Sequence, residues 1–205
     1  MRIVFFTTKI VITELVLLAS LASNAQNQVA LTSEGRKWFY NSGDYYFDDM
    51  NWLPPFAGVW NGQDPLGNQL TIDIQFLSNY PSASGFTHDC LIGSYNYNPV
   101  IGPAVVSSIT PGADAVLQPM YALYAKDDAN YPQCPSCASN EVRLFLEVLH
   151  PNDPGVQRSY YGRLSNNGGQ DILTIIPYTG TNMSMDPNAP ASTPLPFTEF
   201  VLYRQ

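Results

Sequence analysis

Residues 70–76 carry a strict two-residue alternation: Leu70, Ile72, Ile74 and Phe76 are apolar, while Thr71, Asp73 and Gln75 between them are polar. Successive side chains of an extended backbone point to opposite faces, so this pattern makes one buried face and one wet face. Just before it, Gly58-Val59-Trp60 reads as a strand and Asp64-Pro65-Leu66-Gly67 as a tight turn, so two neighbouring strands of a meander are expected. The alternation returns at Val142, Leu144, Leu146 and Val148. Further strands are expected over residues 86–97, 156–164, 171–176 and 197–204, with weaker ones over 104–109 and 120–124. Asn166-Asn167-Gly168-Gly169 is a hairpin signal, and Gly93 inside its strand marks a bulge or a sharp bend.

Outside residues 1–25 no helical period runs through the chain. A series of about eight or nine antiparallel strands is best accommodated by closing the sheet on itself, which removes both exposed edges. The expected fold is all-β, a single antiparallel up-and-down β-barrel, with a β-sandwich as the alternative.

Arg2 and Lys9, the mostly apolar residues 10–21 and the small Ser23-Asn24-Ala25 together have the form of a secretory signal peptide cut before Gln26. A membrane anchor is the competing reading. The apolar run is well short of the ~20 residues a spanning helix needs, and Glu14 interrupts it. The expected organisation is therefore a signal peptide over 1–25, an aromatic and acidic lead-in over 26–55 packing across one barrel end, and a barrel domain over 56–205. Such a chain works in a secreted or periplasmic setting, with no membrane span after cleavage. Its oligomeric state is not legible.

The whole chain has nine basic and seventeen acidic residues. Removing Arg2, Lys9 and Glu14 leaves seven basic and sixteen acidic, a net charge of −9. No Lys/Arg cluster exists to displace counterions from phosphates, which argues against a nucleic-acid partner. Charged residues make up 13% of the chain and aromatics 13%. A surface of this composition leans on Tyr, Asn, Ser and Thr where most proteins use charge.

Several residue sets carry candidate chemistry. Cys134-Pro135-Ser136-Cys137 has redox Cys-x-x-Cys spacing but no helical pattern after it to lower a thiol pKa, so a loop-closing disulfide, or a pairing with Cys90, is the plainer expectation. His88, Cys90, Cys134 and Cys137 are the right residue types for zinc, but adjacent strand residues point to opposite faces, so His88 and Cys90 can share a site only if Asp89 faces away, and neither metal nor cofactor is expected. Asp73, Glu141, Glu147 and Glu199 could serve a hydrolase only if two of them faced one cleft; otherwise they are solvated outer-face charges. Tyr95, Tyr97, Tyr121, Tyr124 and Tyr160 are the candidate ligand contacts, since aromatic faces among amides and hydroxyls suit small apolar, glycan or peptide ligands. Equally, tyrosine is an ordinary half-buried strand residue.

Gly58-Val59-Trp60 in a first barrel strand, with Arg204 in the last, resembles the Gly-x-Trp signature of lipocalin-like (calycin) barrels. That resemblance implies that Arg204 lies over the Trp60 ring at the closed end. A broader likeness spans Phe56 to Trp60, Leu70 to Ile74, Asp89-Cys90-Leu91-Ile92-Gly93-Ser94-Tyr95-Asn96-Tyr97 and the Pro196 to Leu202 strand. These residues are similar to an uncharacterised family of secreted proteins in Bacteroidota, a domain of unknown function. The likeness implies an exported barrel and no particular activity. The resulting expectation is a non-enzymatic barrel that binds a small ligand, with a structural, envelope-associated module or a carboxylate-based hydrolase as alternatives.

Overall fold

A computed structural model describes residues 26–31, 40–122, 125–126, 138, 141–151, 153–178, 195–196 and 198–205. Among the described residues twelve strands form one sheet: β1 Asn27–Ala30, β2 Asp44–Phe47, β3 Gly58–Gln63, β4 Gln69–Pro81, β5 Thr87–Asn98, β6 Val105–Val106, β7 Met120–Ala122, β8 Ala125–Lys126, β9 Arg143–His150, β10 Asp153–Asn167, β11 Gln170–Pro177 and β12 Phe200–Arg204. Eight of them, β3-β4-β5-β7-β9-β10-β11-β12, pair antiparallel in chain order. β12 returns to β3 and closes the barrel. The up-and-down barrel expected from the alternation is the fold. β6 and β8 are short additions to β5 and β9. β1 and β2 lie parallel to one another and to β5, beyond one end of the barrel.

The register shows how the alternation becomes a core. Trp60 sits opposite Ile72, which sits opposite Tyr95; Leu70 faces Tyr97; Tyr160 faces Leu146; Leu173 faces Leu202. All these inward residues except Tyr97 are fully buried. With Ile74, Leu91, Met120, Leu144, Val148, Ile175 and Phe200 they form one continuous apolar cluster. Each fully buried aliphatic or aromatic side chain contributes roughly 1.5–3 kcal/mol. Among the described residues these inward side chains keep almost no accessible surface. The interior is a packed core, as small barrels fill theirs.

Glycines sit where strands come closest. A side chain at Gly62 would strike the Val201 carbonyl of β12 at 2.0 Å. One at Gly93 would meet the Asp73 carbonyl of β4 at 2.7 Å. The bulge in this hairpin falls between Leu77 and Tyr80, while Gly93 itself is regularly paired and permits close approach of its neighbour.

The end carrying Trp60 is capped by the 3-10 turn Pro54–Phe56, with Leu53 and Phe56 in the main cluster. The Trp60 indole donates to the Phe56 carbonyl at 3.0 Å. Arg204 lies over the indole, 4.3 Å from its centroid, and donates to the carbonyls of Ala57 and Pro55 at 2.6 Å each and to Asp171 at 3.0 Å. Gly58, at φ +138°, makes room: a Cβ there would lie 2.8 Å from the Arg204 guanidinium.

Candidate functional site

The five candidate tyrosines divide among different environments. Tyr95 and Tyr160 project from β5 and β10 into the core, 2% and 0% exposed. Their hydroxyls donate to backbone carbonyls, Tyr95 to Leu149 at 2.9 Å and Tyr160 to Leu195 at 3.0 Å. Burial pushes both phenols well above their ordinary pKa, so they are neutral struts. Tyr97, one alternation further along β5, is half-buried at the rim, edge-on to Phe200 with centroids 6.2 Å apart. Tyr121 points from the outer face of β7 and donates to Glu147, which also accepts from Gln157. Tyr124 lies outside the described residues.

Tyr95, Tyr97 and Tyr160 therefore converge at the end of the barrel opposite Trp60, where Arg158 also sits close enough to act electrostatically on Tyr160. Leu195, fully buried, plugs this end from above. The rim continues outward through the β3–β4 turn and the chain that leaves β5. Asp64 is buried there, and its carboxylate accepts from the backbone N–H groups of Leu66 and Asn68 at 2.9 Å and from the Asn68 amide at 2.7 Å. Sequence reasoning did not single out Leu66, Val100 and Ile101 on this rim. For Val100 and Ile101 the signal was the run from Cys90 to Ala113, which contains no Asp, Glu, Lys or Arg.

The remaining candidates stand apart. Cys90 is a free thiol on the outer side of β5, buried against Ile92, Ala115, Leu77, Tyr80 and Ile109. Burial, with Asp89 and Asp114 nearby, pushes its pKa up to about 12, the reverse of an activated nucleophile. Cys134 and Cys137 lie outside the described residues. His88 shares the Cys90 side of β5, and neither of its ring nitrogens has a hydrogen-bond partner. Among the described residues no group of three or more His, Cys, Asp or Glu side chains is arranged to hold a metal.

The buried carboxylate of Asp89 has a structural task. It accepts from the Tyr45 hydroxyl at 2.7 Å, the Asp48 N–H at 2.9 Å and the Asn79 N–H at 3.1 Å. Asp48 in turn accepts from the Leu53 N–H at 2.7 Å, so the two acids tie the lead-in to the closed end. Asp73 faces outward beside Val59, and Glu141 is ion-paired with Arg163. Burial raises the Glu147 carboxyl, and its bond from Tyr121 partly offsets this.

Compared with known protein families, curated proteins and solved structures, the chain matches none.

Proposed function

We propose that this chain is an exported, non-enzymatic β-barrel module that binds a small apolar, glycan or peptide ligand against its Tyr97-bearing rim, with its interior serving as core. The observation that carries this reading is the contrast between the two: inward side chains at near-zero exposure, and a rim where an aromatic ring and aliphatic tips remain open to solvent. Export, to a secreted or periplasmic setting, is supported by the N-terminal segment, by the acidic and charge-poor composition, and by the likeness to secreted Bacteroidota proteins and calycin barrels.

The same filled interior favours a second reading, a structural, envelope-associated module with no small ligand. A carboxylate hydrolase has less support. Asp73 and Glu147 are on outward faces of β4 and β9, two strands lie between these, and side chains diverge on a convex surface.

The test is binding of the chain from Gln26 onward to glycan, peptide and lipid arrays, repeated with Tyr97→Ala. Binding that the substitution weakens supports the rim reading. Binding that is indifferent to Tyr97, or no binding across all three arrays, counts against it.

A further inference from the structure

Residues 107–118 leave β6 and cross the outer face of β4 and β5 as a strap before β7 begins. They belong to no strand, so the strap can lift without breaking the ladders of the barrel. Its fixed end is Ser107, whose N–H donates to the Tyr95 carbonyl at 2.9 Å and whose hydroxyl accepts the Tyr95 N–H at 2.8 Å. Its loop is fastened at the β4–β5 turn. There the Asp114 carboxylate accepts from the Ala83 N–H at 2.6 Å and the Ser82 hydroxyl at 3.2 Å, and the Tyr80 hydroxyl donates to the Ala113 carbonyl. The apolar contact under the strap is small: Ala115 and Ile109 pack on Cys90, Ile92, Leu77 and Tyr80.

Two buried groups share the covered face of β5. Cys90 is a free thiol with no exposed surface. His88, two residues before it, is buried with neither ring nitrogen hydrogen-bonded. A ring held this way is tolerated only while neutral, because an imidazolium needs acceptors or water for both of its N–H groups. The titratable groups that face it are Tyr46 of β2, Tyr80 of β4, Asp89 and Cys90 of β5 and Asp114 of the strap, with Tyr40 stacked behind Phe86. Both carboxylates are already occupied. Asp89 holds Tyr45, Asp48 and Asn79, while Asp114 holds Ala83, Ser82 and, within the strap, Val116. A charged His88 therefore reaches Asp114 or water only at the expense of the bonds that fasten the strap.

We propose that residues 107–118 are an acid-released strap: protonation of His88 lifts them from the outer face of β4 and β5 and uncovers Cys90 while the barrel stays closed. Local opening is the less costly route to a solvated imidazolium. It breaks the few bonds at Ser82, Ala83 and Ala113 and leaves the eight barrel strands paired. Cys90 is then a thiol shielded at neutral pH and reachable in mild acid. The device stands apart from the rim and holds whether or not the rim binds a ligand.

The experiment follows the reaction of Cys90 with 4,4′-dithiodipyridine, a reagent that stays active in acid, in the chain from Gln26 onward carrying Cys134→Ser and Cys137→Ser. Dividing each rate by that of the same chain in urea removes the thiol's own pH dependence. Burial holds the covered His88 ring at about 4, against about 6.5 when solvated, so the open form takes up the proton first. By linkage the open fraction, and with it the normalised rate, rises roughly 50-fold from about pH 7 to about pH 4.5. In His88→Leu the normalised rate stays flat over that range. Hydrogen exchange of the chain with His88 intact is the second measurement. The Ala83 amide, bonded to Asp114, reports the same open fraction as Cys90, and at every pH this exceeds the fraction reported by the Ile72 amide of β4 by about tenfold or more. The proposal is overturned by a normalised rate that does not rise in acid. It is equally overturned by a folded His88→Leu chain whose rate rises as much, which would assign the opening to Asp114 itself. Ile72 exchange that reports the same open fraction as Cys90 also overturns it, because the whole barrel is then what opens.

Discussion

His88 should make the stability of this protein fall steeply in mild acid. The ring is 3% exposed, packed against Phe86 at 5.3 Å and Tyr80 at 6.4 Å, and opposite Tyr46 of β2 in register. Neither nitrogen has a partner, and burial outweighs the pull of Asp114 and Asp89, so its pKa is lowered to about 4. In the unfolded chain it returns to about 6.5. The folded pKa is the lower one, so the unfolded state takes up the proton first. The His88 contribution is complete above about pH 6.5 and is lost as pH falls toward about 4. Roughly two and a half units at 1.36 kcal/mol each is about 3 kcal/mol. For a domain of this size that corresponds to a fall in Tm of roughly 6–12 °C.

The assay is urea unfolding at a series of pH values across that window, for wild type and for His88→Leu, an apolar side chain of similar volume. Glu147 works in the opposite sense. Its folded pKa is raised, so its contribution is present at low pH and lost as pH rises through that value. It is common to both proteins and cancels in their difference. The difference should shrink or reverse by about 3 kcal/mol from the neutral to the acid end. Parallel curves for the two proteins would refute the reasoning and mean that the ring finds a partner when charged.

Other substitutions probe the two ends of the barrel. Gly58→Ala places a Cβ 2.8 Å from the Arg204 guanidinium on a residue at φ +138°, and should cost about 2 kcal/mol in chemical denaturation. Tyr160→Phe keeps the ring in the core but leaves the Leu195 carbonyl without its donor; the expected cost is about 1 kcal/mol, with an unchanged far-ultraviolet signature. Asp89→Asn weakens three charge-assisted bonds at once. A loss of about 2 kcal/mol is expected, together with faster hydrogen exchange at the Asp48 and Asn79 amides, the groups that bond the carboxylate.

The legible parts of the fold were those where one residue's environment follows from its immediate neighbours. Leu70 to Phe76 and Val142 to Val148 alternate, and their strands, β4 and β9, lie where the alternation put them. The Asn-Asn-Gly-Gly signal closes the β10–β11 hairpin, with Gly168 and Gly169 both at positive φ. Of the two readings of Gly93, a bulge or a sharp bend, the bulge lies elsewhere for a physical reason. Gly93 looked like its cause, yet the extra residue is accommodated beside Asn79, whose φ of 54° and N–H bond to Asp89 depend on a partner ten residues away. The parallel β1 and β2 were likewise illegible, because their pairing on β5 is a long-range match with no local pattern behind it.

At the candidate site, residue type was legible and direction was not. Tyrosines at 95 and 97 share a face of β5 by alternation. Only the closure of the barrel and the position of Leu195 decide that the first is sealed in the core while the second meets solvent. His88 and Cys90 also share one face, and it took the packing of residues 109–115 over that face to show a buried thiol and an orphaned ring in place of a reactive pair.

By itself the sequence determined strand identity and the alternation that separates core from surface. These are local or near-local properties of side-chain period and size. Tertiary structure alone decided that the interior is filled, that three of four candidate carboxylates look outward or are paired, and that two turns far apart in sequence meet to raise Leu66, Val100 and Ile101 together. Those outcomes depend on how far eight strands curve before they close, and that curvature belongs to the whole sheet.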